Sequence, residues 1–333
     1  RETARAAGHA RRLRVVLPWR EGNRLPVHRA GLERAPLPRV PRPGSAGSAT
    51  ATLGELELAV AGYTRPFTPN GEASMLEPLP WRFAGNLLLF HFRTDPDAIA
   101  AYLPEPLTPS DPPDEAYVWS PHLRCYPEGV ESADWPAARS HYDVAVIGLP
   151  CRLHGERTMF STFQWCNRDW LVLLSWFLGA CSKQAEIETS GLHPLLPGMT
   201  QDGGVGTRLK RVVSRNGEAV MRMEFAPQRV IDVTELEFYT RNLPLTCMRH
   251  VPDCHVPPMG RPLVHDLTQM VMSRLQQGET LAGEGSLEFC RADNEELMPL
   301  APNEVLGAYW MPMGFMLDGV RIVHQYDAAT SPQ

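Results

Sequence analysis

Lysine is nearly missing from this chain: of the 32 basic residues among 333, only Lys183 and Lys210 are lysines. Arginine supplies every other strong cation, and a guanidinium stays protonated at any working pH, so it cannot stand in where an uncharged amine is needed. Two survivors of an arginine bias and one lysine kept for its amine would look alike, and composition leaves both readings open. Long apolar runs are missing too. Trp170 to Ala180 is interrupted by Ser175 and is too short to span a bilayer. Val15–Val16–Leu17 lies between arginines and falls far short of a secretory core. The seven cysteines (Cys125, Cys151, Cys166, Cys181, Cys247, Cys254, Cys290) are odd in number and scattered. With no export signal they read as reduced thiols of an intracellular protein.

Familiar catalytic signatures are absent as well. No Gly-x-Ser-x-Gly elbow occurs, which removes support for an α/β-hydrolase. Gly203–Gly204–Val205–Gly206 has no Lys-Ser/Thr after it and leads into a strand pattern, so it reads as a hairpin connection and not as a phosphate loop. Charge is split unevenly: residues 1–50 carry eleven Arg against three Glu, a balance of +8, and the rest of the chain balances at −14. An acidic body argues against a nucleic-acid enzyme, because phosphate contacts need clustered cations.

The basic segment is also rich in Pro and Ala and closes on Pro43–Gly44–Ser45–Ala46–Gly47–Ser48. Residues 1–54 are therefore set apart as a disordered leader or transit-like segment, and residues 55–333 as one domain. A cytoplasmic location is expected, with organelle targeting by residues 1–50 left open.

Within that domain, Leu87 to Phe92 reads as a strand, and Asp95 with Pro96 caps a helix to Tyr102. Asp143 to Leu149 is an apolar strand ended by Pro150. Asn167 can cap a helix over Trp170–Leu178 that Gly179 stops, and Glu186–Glu188 is a short strand. Thr207–Ser214 and Glu218–Phe225 flank Arg215–Asn216–Gly217, the strongest hairpin signal in the chain. Val230–Phe238 offers more strand, His265–Gln277 is predicted helical, and Val320–His324 closes as a strand. Antiparallel runs with few helices define the class as α+β.

Three segments carry side chains suited to chemistry. Cys151 and His154 are a conceivable nucleophile and base, yet residues so close in sequence are usually loop neighbours. Cys247, His250, Cys254 and His255 are zinc-type ligands, but all four crowd into one Pro-containing stretch where structural zinc sites join separated pairs. No metal is expected there. The third segment, Gly179–Ala180–Cys181–Ser182–Lys183–Gln184–Ala185, places a lysine just past a helix stop among small apolar residues. Burial there would disfavour its ammonium form. A neutral amine can attack a ketone, and the resulting iminium is an electron sink for breaking a neighbouring carbon–carbon bond. The alternative is a solvated turn lysine.

Ordered blocks then point to a family. Pro80–Trp81, the run Phe92–Arg93–Thr94–Asp95–Pro96–Asp97–Ala98, and Tyr102–Leu103–Pro104–Glu105–Pro106–Leu107 come first. The Asp143–Pro150 strand, Asn167–Trp170, Gly179–Lys183, His193–Pro194, Asn216–Gly217 and Gly319–Tyr326 follow in order. Together, over roughly residues 62–327, the chain resembles acetoacetate decarboxylase and its relatives. The resemblance implies an antiparallel cone-like β-barrel with peripheral helices, a Schiff-base lysine, no cofactor and a homo-oligomer.

The family's lysine pattern is Gly-aromatic-Pro-Lys-Lys. Without gaps it sets Ser182 at the nucleophile and Lys183 at the helper; shifted by one residue it sets Lys183 at the nucleophile and Gln184 at the helper. The family's arginine falls near Gly85, with Arg82 close but off register, and its acidic residue maps within one position of Asp143. The expected site is therefore Lys183 as nucleophile and Asp143 as proton shuttle, with Arg82, Ser182 and Gln184 at the substrate. The expected activity is decarboxylation, or aldol or dehydration chemistry, on a small keto acid. The alternative is a barrel that has lost catalysis and kept a small-molecule pocket lined by Trp, Phe and Met.

Overall fold

The computed structural model describes residues 60–131, 134–190, 205–236 and 243–326. The proposed leader, His193–Pro194 and Gly203–Gly204 lie outside the described residues. Among the described residues thirteen strands form one sheet. In chain order they are β1 (Trp81–Arg93), β2 (Leu107–Pro109), β3 (Glu115–Pro127), β4 (His141–Leu153), β5 (Glu156–Cys166), β6 (Ser182–Gln184) and β7 (Glu186–Thr189). Then come β8 (Leu209–Arg215), β9 (Glu218–Ile231), β10 (Leu245–Val251), β11 (Val264–Gln277), β12 (Thr280–Phe289) and β13 (Glu304–Gln325). Helix α1 (Pro96–Tyr102) follows β1 and helix α2 (Asp169–Leu178) follows β5. No helix among the described residues is long and apolar enough to cross a membrane.

Strands β1, β3, β4, β5, β10, β11 and β13 close into a ring, because β1 pairs with β13 as well as β3. The long β13 makes this possible: it pairs with β1 over residues 304–317, and its other edge serves β12 and then β11. From β12 the sheet continues through β9, β8 and β7 as a second layer. Pairing is antiparallel apart from two short parallel joins, of β10 and of β6 to β5. This is the cone-like α+β barrel expected.

Strand alternation gives the ring wall two apolar faces. One faces the lumen: Phe83, Leu123 and Val144 pack there with Trp170, Leu171, Leu174 and Leu178 of α2. The other, with Leu88, Phe90, Val118, Ala145 and Ile147, packs on Val213, Phe225 and Leu281 of the outer layer.

Several expected elements form where placed. Asp95 accepts from the Asp97 amide and caps α1. Asn216 and Gly217, both at positive φ, turn β8 into β9. Gly179, at φ 102°, ends α2 with its N–H bonded to the Ser175 carbonyl at 2.9 Å.

Three differ. Residues 265–277 form strand β11, not a helix; register slips after Leu267, Val271 and Ser273 break its two-residue alternation and leave an apolar spacing that imitates a helix. Asn167 does not cap α2, whose N-cap is Arg168, because its amide is held by Asp143 instead. Strand β4 runs on through Pro150 to Leu153, with the Pro150 carbonyl accepting from Ser110. Of the predicted strand 230–238, only Val230 and Ile231 are in β9, and residues 237–238 lie outside the described residues.

Candidate functional site

The two faces of the barrel wall carry two different sites. On the lumen side a cavity of about 350 Å³ is bounded by β1, β3, β4, β5, β10, β11, β13 and α2. Its walls are Phe83, Leu87, Val144, Val146, Leu174, Met270 and similar apolar side chains. Among the described residues its polar groups are few: Gln164, Ser175, Gln277, the Trp119 indole and the Tyr142 phenol, whose pKa burial pushes well up. Gln164 donates from Nε2 to Ser175 Oγ at 3.0 Å. None of the described residues lining this cavity is a Lys, Arg, His, Asp or Glu.

The opposite face holds a polar cavity of about 390 Å³ between the ring and β7–β8. Asn86, His122 and Asp143 stand side by side there, because strand register pairs Asn86 with His122 and His122 with Asp143. Asp143 Oδ1 lies 3.0 Å from His122 Nδ1 and 3.4 Å from Arg211, and its Oδ2 accepts from Asn167. Arg211 reaches in from β8 with its side chain 5% exposed. It donates to the Ser120 carbonyl and Oγ and to Thr189 Oγ1. Burial pulls the guanidinium below its ordinary pKa, and the Asp143 carboxylate pulls the other way. Leu209, Arg211 and Val213 share one face of β8; an arginine at an inward position of an alternating strand was the available signal for this group, and sequence reasoning passed it over.

The placement of Lys183 follows from register. In β6, Ser182 pairs with Gln164 and Lys183 with Trp165. Gln164 lines the lumen and Trp165 belongs to the outer core, so Ser182 shares the lumen-side face and Lys183 the outer one. Ser182 is buried, and its hydroxyl lies against the Cys166 thiol. The Lys183 amine donates to the Asn294 carbonyl at 2.8 Å and to Glu295 Oε2 at 3.0 Å. Glu295, with no exposed side-chain surface, also accepts from Arg215 at 3.2 Å.

Sequence reasoning expected this lysine to be buried among small apolar residues. Instead its side chain is 31% exposed and its nitrogen donates to the buried Glu295 carboxylate. The expected site residues are not brought together. Asp143 lines the polar cavity, whereas Lys183 lines neither cavity, and Arg82 and Gln184 are exposed.

The other candidates are separated as well. Cys151 is fully buried in β4, and burial lifts its thiol to about 12, which leaves no thiolate for His154 to assist. Cys247 is buried in β10 while Cys254 is exposed beyond that strand's end. Among the described residues no three His, Cys, Asp or Glu side chains converge as metal ligands.

A closed ring with an outer layer, and an apolar cavity bounded by the ring strands and α2, defines a cone-like α+β barrel. Comparison gives the family: the acetoacetate decarboxylase (ADC) family profile matches residues 64–327, and the chain belongs to that family. Among solved structures it is similar to the enduracididine biosynthesis enzyme MppR, complexed with the condensation product of pyruvate and imidazole 4-carboxaldehyde. There the identity is 26%, with 86% of this chain and all of that one covered, at a TM-score of 0.71. An acetoacetate decarboxylase-like enzyme from Sphingomonas wittichii RW1 is 25% identical over 80% of this chain and 100% of its own, at a TM-score of 0.71. Acetoacetate decarboxylase from Legionella pneumophila, 15% identical over 84% of this chain and 99% of its own at a TM-score of 0.63, shares the fold. No curated protein matches the chain. The fold and these relatives make it acetoacetate decarboxylase-like in general.

Proposed function

We propose that this acetoacetate decarboxylase-like protein holds a small molecule non-covalently in the barrel lumen and does not form a Schiff base through Lys183. The observation that carries the reading is the split of the motif between two faces. Ser182, which the ungapped register sets at the nucleophile, turns toward the lumen, and a hydroxyl cannot form an imine. Lys183 turns away and is bound to Glu295 and Asn294. The cavity walls offer close-packed apolar contact in place of acid–base chemistry, which suits a binding role.

A second reading has one observation in its favour: the Lys183 amine is partly exposed and sits beside a carboxylate, the arrangement from which a keto acid could form an iminium with proton transfer through Glu295. In that reading Asp143 acts only if the substrate spans to the polar cavity. Borohydride trapping with pyruvate and with acetoacetate, read by peptide mass spectrometry, separates the two. The first reading expects no reduced adduct; an adduct on Lys183 that disappears in Lys183→Arg establishes the second. A homo-oligomer is part of the proposal, with Trp176 and Phe177 exposed on α2 as its apolar surface. Light scattering measures it.

A further inference from the structure

The polar cavity between the ring and β7–β8 lies on the far side of the barrel wall from the lumen, and what it binds is independent of what the lumen holds. We propose that it is a second ligand site, for a small monocarboxylate anion with a short apolar tail, oxo acids included, and that Arg211 receives the carboxylate.

Arg211 is the one arginine buried among the described residues. A guanidinium out of water is best met by a carboxylate in a two-bond fork. Arg249 on β10 has that arrangement, donating to the two oxygens of Asp266 at 2.9 and 2.6 Å. Arg211 is more deeply buried and more weakly met. Its Nε and Nη1 donate to neutral acceptors, Thr189 Oγ1 and the Ser120 carbonyl and hydroxyl. Its Nη2 reaches one oxygen of Asp143 at 3.4 Å, and that carboxylate is also engaged by His122 and Asn167. Nη2 carries two N–H groups, so one long contact leaves it donor capacity for a second carboxylate in the cavity that Arg211 lines.

A second anion near Asp143 needs further positive charge, and His122 supplies it. Asp143 holds its Nδ1 at 3.0 Å, which turns Nε2 away from that carboxylate, and the ring lines the same cavity. The charged and titratable groups facing His122 are Asp143 and His141 on β4 and Arg211 on β8, while β1 presents the uncharged Asn86 and β7 presents Thr189. With His122 protonated, two cations balance Asp143 and the ligand.

Strand register sorts the rest of the wall. Asn86, His122 and Asp143 stand level across β1, β3 and β4. Leu88 follows on the same face of β1, level with Trp310 of β13, and Ile187 and Leu209 add apolar surface from β7 and β8. The polar level and the apolar level are therefore about 7 Å apart along the strand, a spacing that suits a charged head and a short carbon tail.

The test is isothermal titration calorimetry on the full chain with ketoleucine, a branched oxo-acid anion, its uncharged methyl ester, and pyruvate, which lacks the tail. Ketoleucine is expected to bind saturably, about tenfold more tightly than the ester and than pyruvate. Its affinity should rise several-fold from about pH 8 to about pH 6, as His122 gains its proton. Arg211→Gln should weaken ketoleucine about tenfold or more. Should that variant not fold, Asn86→Trp, at an exposed position on the cavity wall, should block the site to the same extent. The proposal is overturned if the ester binds as tightly as the acid, if ketoleucine shows no saturable binding, or if its affinity does not rise with acid. Unchanged ketoleucine affinity in the folded variants would place the ligand elsewhere and overturn it equally.

Discussion

Removing the Lys183 amine perturbs one small network whose cost can be worked from its geometry. Glu295 has no exposed side-chain surface and its two oxygens are held by Lys183 at 3.0 Å and Arg215 at 3.2 Å. Stripping a buried ion pair of one partner costs about 3–5 kcal/mol when nothing replaces it. Here Arg215 remains and Lys183 is already 31% exposed, so water can enter the vacated position. One charge-assisted hydrogen bond, about 1.5–3 kcal/mol, is the better measure, and the 31% exposure of Lys183 places the loss at its lower end, about 2 kcal/mol for Lys183→Ala.

Lys183→Arg keeps a cation in reach and should lose less than half of that. Pairing Lys183→Ala with Glu295→Gln in a double-mutant cycle should give a coupling of about 1 kcal/mol, since the two groups touch. Urea unfolding followed by tryptophan fluorescence measures all of these at equal slope. Loss below about 0.5 kcal/mol with no coupling would refute the assignment of Lys183 to Glu295 and return the amine to solvent or substrate.

Three further outcomes follow from other parts of the molecule. Gly179→Ala should cost about 1–3 kcal/mol, because φ 102° disfavours any side chain and its Cβ would stand 2.6 Å from Thr268 Oγ1; thermal unfolding checks it. In a thiol-labelling time course on native protein Cys254 should react first, while Cys125, Cys151, Cys166 and Cys247 stay unlabelled until unfolding, since all four are buried with raised pKa values. Bonds from the His255 amide and ring, and from the Met259 and Gly260 amides, hold Asp253 down at about 2. A depressed carboxylate contributes order above its unfolded value and loses it as pH falls through the folded one. Amide exchange at Met259 and Gly260 should therefore accelerate as pH drops from about 4 toward 2, after correction for intrinsic rates; an unchanged protection factor across that window contradicts the cap.

Much of the fold was legible because its signals are local. Asp95–Pro96, Gly179 and Asn216–Gly217 each specify a backbone conformation within a few residues, and each does so where expected. Strand β11 was not legible, because three register slips set by its partner β13 replace period-two spacing with one that resembles a helix. The length of β13 was hidden in the same way: Gly307, Pro312, Gly314 and Gly319 punctuate it like turns, while pairing to both β1 and β11 holds it extended.

The candidate site was less legible for a sharper reason. In a strand, a displacement of one residue exchanges faces. Motif alignment left the register of Ser182 and Lys183 open by one, so it could not say which side chain meets the lumen; only the pairing of β6 with β5 does. Asp143 falls on the polar-cavity side of its strand, with Val144 beside it on the lumen wall. Buried polar groups joined across distant strands, such as Arg211 with Ser120, leave no trace in spacing at all.

The lumen as ligand site is tested most directly by methionine-methyl NMR during titration with decanone. Met159, Met270, Met272 and Met313 line the cavity, whereas Met221 and Met223 lie in the outer core on the far side of the wall. The account predicts saturable shifts confined to the first four methyls. Shifts at Met221 and Met223 with the lumen methyls unmoved would place the ligand on the outer face and contradict it.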